Sequence, residues 1–142
     1  MKISVVILSF SIMIFAAHAA AITFDVSVVQ ASKEGSGFDA DLSPYLSKLT
    51  EMGFSSGQVM SSRQLNAELN EKKSFVVKGN LSAEIIPTSI KDGFIKFDLK
   101  LVDGNETKVK LSYKIPNGKD TIIVCPSSSK KKRYVIIIKA SQ

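Results

Sequence analysis

The 142-residue chain contains no tryptophan, one histidine and one cysteine, and these absences close off more chemistry than any motif opens. His18 lies in an N-terminal segment that reads as removable. Without it no imidazole remains for a Ser-His-Asp or Cys-His nucleophile, or for histidine-ligated zinc. Cys125 stands alone, so no internal disulfide can form and the fold depends on its apolar core. Long apolar runs are also scarce. The N-terminal one, Ile3 to Phe15, is interrupted by serines and falls short of the ~20 residues a spanning helix needs.

That run has a meaning of its own. Lys2 before it supplies a positive n-region, and Ala17-His18-Ala19 after it is a small-x-small cleavage site, the three-part layout of a secretory signal. No positive stop-transfer flank follows, and no cysteine stands near the site to take a lipid. The expectation is a signal peptide over 1–19, cut after Ala19 or after Ala21. Residues 20–142 then form a single exported domain, periplasmic or extracellular, with no transmembrane segment after cleavage. A mature chain of about 120 residues is large enough to bury roughly two-thirds of its unfolded surface.

Within that domain the patterning is mostly period two. Ile22, Phe24, Val26 and Val28 alternate with polar residues, as in a half-buried strand. Lys33 to Asp41, with two glycines and three acids, reads as a loop. A short helix follows, with Ser43 placed to cap it, Pro44 at its first position and Gly53 at its C′ position. Leu46, Leu49, Met52 and Phe54 would seat it. Residues 58–69 satisfy both periods: Leu65, Ala67 and Leu69 alternate, while Leu65 and Leu69 are also four apart among helix formers. Beyond Ser74, Gly79-Asn80, Asp92-Gly93, Asp103-Gly104 and Asn117-Gly118 punctuate apolar runs with residues that tolerate hairpin turns. Strands are predicted over 74–78, 81–90, 94–102, 107–115, 119–125 and 133–139. The pattern turns Phe97 and Leu111 inward. Tyr134 to Ile138 is apolar throughout, which predicts a central strand covered on both faces. The fold class is α+β: mainly an antiparallel β meander, as a sheet, a sandwich or an open barrel, with one short helix after the first strand.

Charge is unevenly placed. Loss of Lys2 takes the net charge from +6 to +5, split as −4 over residues 20–71 and +9 over 72–142. Period-two alternation puts Lys96, Lys100, Lys108, Lys110 and Lys114 on one sheet face, the candidate site for an anionic partner. The competing reading is a solvated face whose lysines serve solubility and discourage edge pairing. Base-stacking aromatics are missing from this face, which argues against nucleic acid. Lys130-Lys131-Lys132-Arg133 reads as an exposed hairpin loop.

Other constellations carry less. Glu34, Asp39 and Asp41 surround Gly35-Ser36-Gly37, but their spacing matches no calcium loop. Cys125 ends a strand and reads as a buried, inert thiol. Asn80 and Asn105 head glycosylation sequons in expected turns. No catalytic, cofactor-binding or metal-ligating residue is assigned, and no cofactor is implied.

Val28-Val29-Gln30-Ala31-Ser32, then Gly35-Ser36-Gly37-Phe38-Asp39, then Leu42, Leu46, Leu49 and Phe54 resemble a group of small exported bacterial proteins of unknown function, found especially among deltaproteobacteria. Thr121 to Pro126 and Tyr134 to Ala140 are similar to that group's ending. The chain departs from it at Ser55, Ser56 and Val59, where an aromatic pair is expected, and in lacking Gly-Gly before Pro126. The resemblance implies a strand over 58–69 and a bacterial envelope location. It implies no activity.

The first functional expectation is a non-enzymatic exported module that binds a partner or serves in an envelope or secretion assembly. The second is a soluble binder of anionic polysaccharide or membrane surface through the lysine face. The third is a carboxylate-dependent enzyme acting on polysaccharide. Partners are a protein or an anionic envelope polymer. Self-association, the acidic half mating with the basic face of a second copy, is a further expectation.

Overall fold

Alternation in the N-terminal part of the domain becomes β1 (Ile22–Ser32), the middle strand of a five-stranded sheet. A computed structural model describes residues 21–126 and 131–142. The expected signal segment 1–19, its cleavage site and Lys130 lie outside the described residues. After β1 come β2 (Gly37–Phe38), a 3-10 segment (Ala40–Tyr45), helix α1 (Leu46–Glu51) and β3 (Ser56–Ala67). Then follow β4 (Lys73–Lys78), β5 (Leu81–Lys91), β6 (Phe94–Asp103), β7 (Glu106–Pro116), β8 (Asp120–Val124) and β9 (Lys132–Ser141). One sheet has the order β2-β3-β1-β9-β8; the other is the meander β4-β5-β6-β7. All pairings are antiparallel except that of two-residue β2 with β3.

The expected meander is therefore one half of the fold, and a second sheet packs on it. Between them lies the main core, where Ile22, Phe24, Val26 and Val28 of β1 meet Ile95, Phe97, Leu99 and Leu101 of β6. Phe97 sits at its centre. Its ring meets Phe24 edge-on at 5.4 Å and stacks on Tyr113 at 5.4 Å. A smaller core forms on the opposite face of the five-stranded sheet, where Val29, Ala31, Val135 and Ile137 are covered by Leu42, Leu49 and Phe54. β9 belongs to both cores and lies between β1 and β8. The run of apolar residues from Tyr134 to Ile138 is the consequence.

The helix differs from expectation at its start and agrees at its end. The chain turns into a 3-10 segment at Ala40, four residues before Pro44, which lies inside it. Ser43 caps nothing; its hydroxyl donates to the Ala40 carbonyl. Asp39, at the true N-cap position, makes no cap hydrogen bond and accepts instead from the Val59 N–H at 2.8 Å. At the other end Gly53 has φ +93, its N–H donates to the Thr50 carbonyl, and the Phe54 N–H donates to the Leu49 carbonyl. That is a Schellman stop, with its apolar pair Leu49 and Phe54 buried together. Leu46 and Met52, expected to seat the helix, are exposed.

Residues 58–69 are strand through Ala67, the end of β3. β3 pairs with β1 along its length, and only its first residues are covered by β2. Leu69 lies in the turn that follows and is exposed.

The three meander hairpins share one device. Each closes with a two-residue turn, at Gly79-Asn80, Asp92-Gly93 and Gly104-Asn105, and each then skips one residue: Val77, Thr88 and Lys108. Both Asp92 and Gly93 have positive φ, as a type I′ turn requires. The skipped residue has a reason. A two-residue turn pairs residues three apart, such as Asp103 with Glu106, and continuing that register would set inward Phe97 opposite outward Ser112. One bulge restores Phe97 to Tyr113 and Leu99 to Leu111.

Candidate functional site

The outward positions of β5–β7 form a face whose rows follow from the register. Glu84, Lys100 and Lys110 make one row. Ile86, Asp98 and Ser112 make the next, and Ser89, Lys96 and Lys114 the third. Phe94 and Pro116 close the face beside Lys91. Period-two reasoning thus placed Lys96, Lys100, Lys110 and Lys114 together. Lys108 is different. It occupies the β7 bulge beside the Gly104 turn and pairs with Glu106 at 3.2 Å, at the margin of the face.

The pairing makes two like-charged contacts: Lys96 lies directly opposite Lys114, and Lys100 directly opposite Lys110. Directly opposed like charges are unfavourable in a sheet. Counter-charge is thin. Asp98, between the two pairs, accepts a 2.6 Å hydrogen bond from the Ser112 hydroxyl. Glu84 is shared between Lys72 at 3.6 Å and Lys100 at 4.0 Å. Lys114 Nζ stands 4.7 Å over the Phe94 ring. Two shallow hollows flank this group, of about 210 Å³ beside Lys91, Phe94, Lys96 and Lys114 and about 290 Å³ beside Thr88, Asp98 and Ser112. Phe94 corrects the expectation of a face without aromatics: it is exposed on that face, has the same parity as Lys96 on one strand, and period two alone would have found it.

A larger hollow, about 490 Å³, lies elsewhere, where β1 and β3 run out beside the loop after β1. It is lined by Gln30, Gln58, Glu34 and Asp39 among others. Both acids are occupied: Glu34 pairs with Lys131 at 2.9 Å, and Asp39 holds the Val59 N–H. Among the described residues no three of the histidine, cysteine, aspartate and glutamate side chains gather as metal ligands. Asn80 and Asn105 are exposed in their hairpin turns.

Cys125 is buried in the main core, its N–H bonded to the Tyr134 carbonyl, and burial pushes its thiol up to about 11. The neutral thiol should therefore resist iodoacetamide at pH 8 in the folded protein and react only after denaturation. Mass spectrometry with and without urea checks this. Burial raises Tyr113 as well, and burial followed by Asp120 raises Tyr45. For all three the folded form holds its proton more tightly. The contribution of Cys125 is complete below its unfolded value and drains away as pH climbs through about 11, and the two tyrosines act in the same direction, so stability should fall on the alkaline side.

No family model and no curated protein matches the chain. Among solved structures it is similar to the type II secretion secretin XcpQ of Pseudomonas aeruginosa, seen by cryo-EM, with a TM-score of 0.36 and 10% identity. The overlay covers 85% of this chain and 57% of that one. A TM-score at that level carries neither fold nor function across.

Proposed function

We propose that the protein is an exported, non-enzymatic binding module that holds an anionic partner on the outer face of its four-stranded sheet. The observation that carries this reading is the pair of direct lysine oppositions, Lys96 with Lys114 and Lys100 with Lys110, on one sheet face. Each opposition costs a few tenths to about 1 kcal/mol when bare, and an anion laid between the two lysines turns that repulsion into attraction. The charge acts collectively over the ~8 Å reach of electrostatics at physiological salt. Export rests on Lys2, Ile3 to Phe15 and Ala17 to Ala19. An intact mass beginning at Ala20, or within two residues of it, is the expected result.

Changing Lys96, Lys100, Lys108, Lys110 and Lys114 together to glutamine should abolish retention on a heparin-like support at physiological salt. The melting temperature should hardly move. Unchanged retention would reduce the face to a solubility device. Lys110→Glu alone converts the Lys100 opposition into an opposite-charge pair. It should weaken retention while raising stability by about 0.2–1 kcal/mol in urea melts.

A further inference from the structure

β7 is an edge strand. It pairs with β6 on one side, and among the described residues no strand pairs with the other. From Val109 to Ile115 it runs without bulge or proline, leaving backbone N–H and C=O groups available along that edge. β8, an edge of the other sheet, is only five residues long.

The side chains of β7 differ from those of its neighbour. On β6 the inward residues Ile95, Phe97, Leu99 and Leu101 are all buried. On β7 Leu111 has the same inward parity and pairs with Leu99, yet it is 40% exposed, between half-buried Val109 and Tyr113. The expectation that Leu111 is buried therefore fails: Ile115 at the end of the same strand is buried, but the cover is incomplete at Leu111. The opposite face of the same strand carries Lys110 and Lys114. One further strand would cover Leu111 from the side and meet both lysines at once.

We infer that β7 accepts an extended acidic polypeptide as a fifth strand, with acids four residues apart opposite Lys110 and Lys114 and apolar residues between them covering Leu111. This rests on the anionic reading above and gives the partner a chemistry and a docking mode, main-chain pairing with alternate side chains setting specificity. A second copy is a poor occupant. Antiparallel pairing of two β7 strands about Ser112 sets Lys110 against Lys114 twice, the arrangement edge lysines discourage.

The test is titration of the full exported chain with a labelled peptide containing Glu-Val-Thr-Val-Glu. It is repeated with two versions N-methylated at alternate positions, one in each phase, and with polyglutamate. Along a strand N–H groups point alternately to either side, so one phase should lose binding at least tenfold and the other should keep it. The protein variant carrying Lys110→Glu and Lys114→Glu should lose the parent peptide by a similar factor. If both methylated peptides bind as well as the parent, or polyglutamate binds as tightly as the patterned peptide, strand addition is overturned and the anionic face stands. If neither peptide nor polyglutamate binds, strand addition is overturned, and retention on the heparin-like support alone decides the anionic face. A β7-dependent dimer in sedimentation, formed without peptide, would assign the edge to a second copy and overturn the inference.

Discussion

Phe97→Ala should cost about 3–5 kcal/mol, the usual loss when a core aromatic is deleted. The ring is fully buried, meets Phe24 of the facing sheet edge-on, and stacks on Tyr113 of the neighbouring strand β7 in its own sheet. Truncation removes an edge-on contact and a stacked one together, and the flanking strands cannot close over the gap without breaking their ladders. Leu111→Ala, on the neighbouring strand with the same inward parity, should cost only about 1 kcal/mol because much of that side chain is already in water. Urea melts of the two variants give the comparison. Equal losses would mean that the edge strand is covered after all.

Ile136→Ala and Ile137→Ala should each cost about 2–5 kcal/mol, although the residues are adjacent and point to opposite faces of β9. Ile136 lies in the core between the sheets, while Ile137 lies beneath Leu42, Leu49 and Phe54. In a strand with one solvated face one of the two changes would be nearly silent. A silent Ile137→Ala, measured by the same melts, would mean that the 3-10 segment and α1 do not cover the sheet in solution.

Much of this architecture was legible in the residues, and the rest was hidden for definable reasons. Asp92-Gly93 and Tyr134 to Ile138 announce themselves, since a positive φ and a doubly apolar strand are demands on the residues themselves. β3 does not. Lying near one sheet edge, it carries Ser62, Arg63, Gln64 and Asn66, and so little of it is buried that neither period stands out. The helix start was missed because Ser43 and Pro44 look like a cap and first residue, whereas Asp39 is drawn off by the Val59 N–H, a contact across the fold. Parity placed four of the five lysines correctly. It could not say that Leu111 is left partly in water, since parity fixes a direction and not how much cover lies there. The bulges were in principle readable: two-residue turns and the inward residues of β5, β6 and β7 agree only if one residue per hairpin is skipped.

The pairing of β1 with β9 has a consequence for the order of events in folding. Thr23 is partnered by Ser141, so the five-stranded sheet is closed by contacts between opposite ends of the described chain. Such long-range closure is slow, because the loop entropy is lost before the contacts that offset it have formed. The meander β4–β7 is local, with each strand two residues from the next, and can assemble on a faster clock. Two kinetic phases follow: a quick one for the meander, and a slow one that waits for residues 132–141 to reach β1. Until that second phase, β1 lacks one of its two flanking strands, and the core between the sheets stays open on the side that Ile136 and Ile138 will fill.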